Sequence, residues 1–268
     1  MTTYALSALA AVTLQTIGAS EIAAARGTPL TGASSGTTLR QLTAGPGQAS
    51  IAFPIPYGGA SVLYDQSSPP GTSGAYYVNA DPPPDQAYAS EGADDFEIAD
   101  VAGWTVTEFV FNVGFVQQSG GLYTGTPNYN VHVYADAAGI PGDVSLCGGD
   151  DIPGTRQNPT SNSGPVLVTM PATCFLPAGH YWVGFSTIVV VPPSGLWVFN
   201  GAPAEVLDTA MWRNPGGALV SGCTSWASAQ TCLGGFSGGF VAFNFQVMGS
   251  IGEAATDEIF ANGFEVIP

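Results

Sequence analysis

The chain has 268 residues, of which 45% are hydrophobic and 9% are charged, against about 25% charged in an average globular protein. It contains no lysine, and four arginines face 20 carboxylates for a formal net charge of -16. Such a surface repels phosphate backbones and anionic lipid headgroups, which argues against nucleic acid and acidic membranes as partners. The apolar content is sufficient for one main hydrophobic core.

The N-terminal segment, residues 1–25, has the character of a secretory signal peptide. It is apolar and alanine-rich from Ala5 to Ile17, and small residues allow cleavage after Ala19 or Ala25. The basic residues that normally precede the apolar stretch are missing, so a helix that stays in the fold is the alternative. We predict that residues 26–60 form a linker or peripheral strand. No stretch reaches the roughly 18 apolar residues of a membrane span.

Four cysteines, an even number, fit a secreted protein with disulfides. Among three possible connectivities, the sequential one pairs Cys147 with Cys174 and Cys223 with Cys232. Cys147 and Cys174 flank what we interpret as a loop rich in glycine, proline and asparagine. No Cys-x-x-Cys pair or histidine spacing typical of a zinc site is present.

From residue 61 to about residue 250, short apolar runs recur with turn signals between them. In "WTVTEFVFNVGFV" (104–116), two-residue alternation places Phe109, Phe111, Val113 and Phe115 on one face. "NVHVYAD" (130–136) alternates valines against Asn130, His132 and Tyr134. Strands without intervening helices predict an all-β protein, an antiparallel, jelly-roll-like sandwich, followed by a C-terminal tail over residues 251–268.

Several of these runs together resemble a known kind of module. "VLYDQ" (62–66), "ADDFEIADVAGWTVTEFVF", "VHVYADAAGIPG", "LPAGHYWVGFS" and "MWRNPGG" are similar to a β-sandwich module of secreted bacterial proteins, mostly uncharacterised. The tail sequence "DEIFANGFE" resembles a short I-F-x-x-G-F-E ending of proteins secreted by gammaproteobacteria. The resemblance implies a secreted β-sandwich and implies no particular activity.

One short motif has the spacing of a hydrolase nucleophile. Ser237 lies in "GFSGG" (235–239), which satisfies G-x-S-x-G. A nucleophile turn needs a helix after the serine, whereas "FVAFNFQVMG" predicts a strand there. A triad also needs a histidine, and the chain has only His132 and His180. We therefore interpret Ser237 as a turn residue and expect no catalytic residues.

An acidic region between residues 81 and 100 is a candidate calcium site. It contains seven carboxylates in a segment whose sequence predicts a loop, and carboxylate oxygens are suitable ligands for Ca²⁺. The best placed ligands are Asp94, Asp95 and Glu91, while a solvated acidic loop is the alternative. A pair of these carboxylates also suits a glycosidase, although nothing selects a pair.

Aromatic residues in or near loops are candidate sugar-stacking positions, and burial under loops is their alternative fate. They are Tyr76, Tyr77, Tyr123, Tyr129, Trp197 and Trp226. The sequence therefore predicts a secreted, extracellular, non-catalytic module that binds a glycan or another surface component. The alternatives are a secreted hydrolase acting on polysaccharide or peptide, and a structural component of a cell surface or matrix.

Overall fold

A computed structural model describes residues 60–67, 75–77, 79–80, 86–116, 122–125, 127–188, 196–202, 207–233 and 242–252. Within these residues lie fourteen strands and one short α-helix. The strands are β1 (Ser61–Asp65), β2 (Ala75–Tyr77), β3 (Asn79–Ala80), β4 (Glu91–Ile98), β5 (Trp104–Val116), β6 (Asn128–Asp136), β7 (Pro141–Arg156), β8 (Ser163–Leu176), β9 (Gly179–Ile188), β10 (Leu196–Ala202), β11 (Met211–Arg213), β12 (Ala227–Ser228), β13 (Ala242–Phe243) and β14 (Phe245–Ile251); the helix is α1 (Ala229–Leu233).

The strands form two layers, and the predicted all-β antiparallel sandwich is confirmed. Sheet A contains β1, β14, β5, β8 and the end of β7 in that order. Strand β10 pairs with residues 113–116 of β5 on the edge opposite β8, and β2 pairs with β10. Sheet B contains the start of β7, then β6, β9, β4, β11 and β12. All described pairings are antiparallel except that of β3 with β9. The core lies between the two sheets, since it takes buried side chains from both.

The alternation in β5 shows how the sequence builds this core. Phe109, Phe111, Val113 and Phe115 are all buried, as the two-residue period predicts. The ring of Phe111 lies 4.3 Å, centroid to centroid, from that of Phe185 on β9 of the opposite sheet. Aromatic contacts of this kind bury large areas and dominate core energetics, so β5 is the central strand of the sandwich.

The long strand β7 corrects one part of the sequence interpretation. The segment after Cys147 is not a loop but continues as a strand to Arg156. The first part of β7 pairs with β6 in sheet B, and residues 154–156 pair with β8 in sheet A. Pairing with β6 along the first part and with β8 at residues 154–156 compensates for the low strand propensity of its glycines and prolines.

Both disulfides have the predicted sequential pairing. Cys147 is bonded to Cys174 across 27 residues, and Cys223 to Cys232 across nine. Cys147 lies opposite Val133 in sheet B, whereas Cys174 lies opposite Val106 in sheet A. The longer disulfide therefore joins the two sheets directly. No free cysteine occurs in the described part of the chain.

Several predicted features lie outside the described residues. These are the leader and linker up to residue 59, Ser237, and the tail from residue 253. Across the ranges that are described, no helix has both the length and the apolar character needed to span a bilayer.

Candidate functional site

The outer face of sheet B, which points away from the core, carries a group of polar and charged side chains that lie close together. Val131, Val133 and Val183 point into the core, so the side chains that alternate with them on β6 and β9 point outward. The polar residues of this face on β4, β6, β9 and β11 include Glu91, Asp95, Glu97, Asn130, His132, Tyr134, Asp136, His180, Trp182, Ser186 and Arg213. Most of them form two groups, one around Glu91 and one around Asp95.

The first group is an ion pair between Arg213 and Glu91, to which Tyr134 is hydrogen-bonded. Arg213 lies opposite Glu91 in the pairing of β11 with β4, and its Nη2 and Nε atoms donate to Glu91 Oε2 at 2.5 and 3.0 Å. The Tyr134 hydroxyl donates to Glu91 Oε1 at 2.9 Å. The two N–H donors of an arginine guanidinium orient a carboxylate and also stabilise its charged form. Glu91 is therefore held rigidly.

A glycine on β9, which has no side chain, makes the contact between Glu91 and Tyr134 possible. Gly184 lies between β4 and β6, opposite Ala93 on one side and His132 on the other. A β-carbon built at Gly184 collides with Glu91 Oε1 and approaches the Tyr134 ring to 2.9 Å. A glycine inside a strand commonly marks such a close approach. It lets side chains of two strands that are not neighbours meet across β9.

His132 extends the group toward solvent. Its Nδ1 lies 3.8 Å from Glu91 Oε1, and its Nε2 lies 3.5 Å from Asp150 Oδ1 on β7. Glu91, His132, Asp150 and Arg213, together with Asn130 and Ser186, line an open cleft of about 210 Å³. Donors and acceptors thus converge on one concave surface, as they do in binding sites for small polar ligands.

Trp226 packs behind the cleft. The Arg213 guanidinium lies over the Trp226 ring at 4.1 Å from the centroid, and Tyr134 meets the same ring edge-on at 5.8 Å. A cation placed over an indole face is held by the ring quadrupole. Of the aromatic residues predicted to stack on sugar, Tyr123, Tyr129 and Trp226 have described side chains, and among these three Trp226 contacts the cleft lining. Its role there is to position Arg213.

The electrostatics of Glu91 follow from these contacts. Burial raises the pKa of Glu91, but the nearby His132 imidazole and the charge and hydrogen bonds of Arg213 outweigh that effect, and the net pKa is lowered. A carboxyl group whose folded pKa is depressed stabilises the fold above its unfolded pKa. This contribution is lost as the pH falls through the folded pKa.

Replacing Glu91 with glutamine, Glu91→Gln, should therefore destabilise the protein in a pH-dependent way. At pH 7 we expect a loss of about 2 kcal/mol in the free energy of unfolding, because hydrogen bonds to a charged group are broken. The difference from the wild type should shrink as the pH falls below about 4, measured by urea unfolding. Glu97→Gln, at an exposed glutamate of the same strand, is the control. An equal deficit at both pH values would contradict the ionic account.

The second group surrounds Asp95. His180 Nε2 lies 2.5 Å from Asp95 Oδ2, and the backbone N–H of Asp208 donates to the same oxygen at 3.0 Å. One ligand atom each from Asp95, His180 and Asp208 lie within 4.8 Å of one another. His180 Nδ1 lies 3.7 Å from Asp136 Oδ1 on β6. Burial raises the pKa of Asp95, against the opposing effects of the Asp208 N–H and His180.

The predicted calcium ligands do not form one site. Asp94, Asp95 and Glu91 lie in strand β4, not in a loop. Asp94 accepts hydrogen bonds from Gln66 Nε2 at 2.6 Å and the Phe243 N–H at 2.5 Å. Glu91 belongs to the arginine group and Asp95 to the histidine group. Alternation along the strand turns Asp94 to the face opposite that of Glu91 and Asp95, and those two residues bind different partners, Arg213 and His180.

The other predicted aromatic residues have different positions. Tyr129 is fully buried on β6, with its ring 5.3 Å from that of Phe185, so the prediction that it meets a ligand is wrong. Tyr123 packs its ring 4.3 Å from that of Phe115, and Arg156 lies over it. Tyr76 and Tyr77 are in β2 and Trp197 is in β10; their side chains lie outside the described residues.

Comparison with known proteins adds the following. No protein-family model and no curated protein matches this sequence. A solved structure that resembles the chain contains the cysteine protease and lectin-like domains of Cwp84, a surface layer associated protein of Clostridium difficile. The two are 13% identical with a TM-score of 0.39, and the match covers 59% of this chain and 31% of that chain. A likeness this distant carries no inference about what the chain binds.

Proposed function

We propose that this protein is a secreted, non-catalytic β-sandwich module that binds a glycan in the cleft of sheet B. The observation that carries the proposal is the convergence of fixed polar groups there. The Glu91 carboxylate is oriented by Arg213 and Tyr134, and His132 and Asp150 lie on the cleft wall.

This donor and acceptor set suits a polyhydroxylated ligand. Each sugar hydroxyl both donates and accepts, so it pairs with carboxylates and with imidazole or guanidinium N–H groups. Hydrogen bonds to charged groups are about twice as strong as neutral ones. A preformed arrangement also reduces the entropy lost on binding.

An extracellular location agrees with the two disulfides of the chain. Disulfides persist in oxidising compartments, and two are present. The resemblance of its motifs to a module of secreted bacterial proteins supports the same proposal. A structural role on a cell surface remains the alternative within this class.

Glycan binding is tested with an array followed by calorimetry on the best ligand. We expect His132→Ala and Asp150→Asn to weaken binding about tenfold or more, equivalent to about 1.4 kcal/mol. The matched control is Asp143→Asn, since Asp143 and Asp150 are both exposed on β7 and Asp143 is not part of the cleft lining.

Two outcomes would overturn this function. If cleft and control variants bind the ligand equally, the cleft is not the site. If the wild type turns over a polysaccharide or peptide and His132→Ala abolishes turnover, the protein is a hydrolase.

A further inference from the structure

We propose that Asp95, His180 and Asp208 bind a divalent transition metal ion, with Zn²⁺ as the reference ion. This site lies on the outer face of sheet B but is separate from the glycan cleft. The three residues come from β4, from β9 and from the segment before β11, and their ligand atoms lie within 4.8 Å of one another. That spacing is compatible with a single ion contacting all three after small side-chain adjustments.

An orphaned oxygen is the independent observation that points to a ligand. The Asp95 side chain is fully buried, and its Oδ1 atom has no hydrogen-bond partner. Buried polar atoms without a partner are uncommon in folded proteins and call for an explanation. A bound ion is one such explanation. Oδ2 of the same carboxylate contacts His180 Nε2 and the Asp208 backbone N–H, so the carboxylate that carries the orphaned oxygen lies beside both other residues.

The charge balance points in the same direction. Three carboxylates, those of Asp95, Asp136 and Asp208, lie near one imidazole, that of His180. Of the arginines that the structure describes, Arg213 pairs with Glu91, and Arg156 donates to the backbone carbonyls of Tyr123 and Ser161. Neither neutralises this cluster. A bound divalent cation would do so, and the fully buried Asp95 carboxylate is the one that most requires such compensation.

The surroundings of His180 resemble those of a metal ligand. Metal-binding histidines commonly present their second ring nitrogen to a carboxylate, which fixes the ring. Here Nε2 faces Asp95, and Nδ1 faces Asp136 Oδ1 at 3.7 Å. That Asp136 oxygen also accepts hydrogen bonds from Trp182 Nε1 at 2.9 Å and the Gly139 N–H at 3.0 Å. The supporting carboxylate is therefore itself held in place.

The ligand types select the class of ion. One imidazole nitrogen with carboxylate oxygens suits Zn²⁺ and related first-row ions. Ca²⁺ prefers oxygen ligands alone, so it is the less suitable ion for a site that includes His180. Such an ion would tie the segment carrying Asp208 to the face of sheet B.

The experiment uses the full chain after treatment with a chelator and dialysis. Zn²⁺ is titrated by calorimetry and by thermal unfolding, and bound metal is counted by elemental analysis. We expect one Zn²⁺ per chain and a melting temperature that rises with Zn²⁺ concentration, because a ligand bound only to the native state stabilises it. Co²⁺ should give a visible absorption spectrum that reports its coordination number and geometry.

Variants at partly exposed positions test the metal site without disturbing the core. His180→Ala and Asp208→Asn change partly exposed positions and should abolish the Zn²⁺ response, whereas Asp136→Asn should weaken affinity about 10- to 100-fold. His132→Ala, at the other histidine of this face, is the matched control and should bind Zn²⁺ like the wild type. The unliganded melting temperature of each variant verifies its fold.

Either of two results would overturn the metal site. One is the absence of stoichiometric Zn²⁺ in the folded wild type. The other is a metal response, to Zn²⁺ or Ca²⁺, that survives His180→Ala. The glycan measurement reports on the separate cleft around His132, so failure of one proposal can be distinguished from failure of the other.

Discussion

Replacing both Cys147 and Cys174 with alanine will lower the free energy of unfolding by about 3.5 kcal/mol. The disulfide closes a loop across 27 residues, and the chain-entropy relation gives a cost of this size for the unfolded chain that it constrains. It also joins β7 in sheet B to β8 in sheet A. Unfolding in urea, followed by tryptophan fluorescence, measures the change.

The second disulfide provides the comparison for this result. Cys223 and Cys232 are nine residues apart, so the same relation gives about 2.5 kcal/mol for their double replacement. If the shorter disulfide contributes as much as the longer one or more, loop length does not determine the effect. Local packing around α1 would then be the better explanation.

Asp94→Ala is the second large effect that we expect, with a loss of about 4 kcal/mol. The carboxylate accepts hydrogen bonds from Gln66 Nε2, the Phe243 N–H and the Asp95 N–H. Removing it leaves buried donors without partners, and each such donor costs about 1–3 kcal/mol. The measurement is again the free energy of unfolding in urea.

Two further variants separate this explanation from a general effect of removing charge. Asp143→Ala, at an exposed position of β7, should change stability by no more than about 0.5 kcal/mol. Asp94→Asn keeps one acceptor oxygen and should lie between the wild type and Asp94→Ala. An Asp94→Ala protein as stable as the wild type would show that water or rearranged side chains satisfy those donors.

The strands were predictable where alternation was strong. The segment 104–116 coincides with β5, and its four predicted core residues are buried. Strand β7 was missed because it is rich in glycine and proline, residues that ordinarily predict turns. Its strand conformation depends on pairing with both β6 and β8, and this tertiary context does not show in local sequence.

The candidate site was less predictable, for a geometric reason. The alternation in β6 did separate Asn130, His132 and Tyr134 from the core valines, so it contained a signal for the outer face. Glu91 and Arg213, however, are 122 residues apart, and Asp95 and Asp208 are 113 apart. Spacing motifs detect ligands that are close in sequence. They do not detect groups that strand pairing alone brings together.

The placement of the last strand has a consequence for how the protein is made. In sheet A, β14 lies between β1 and β5 and pairs with both. A chain that emerges from its N-terminus exposes the backbone edge of β5 until residues 245–251 arrive, and unpaired edges of this kind promote association between chains. Sheet A therefore cannot be completed while the polypeptide is still growing through β13. Truncation before Phe245 should yield a protein that aggregates.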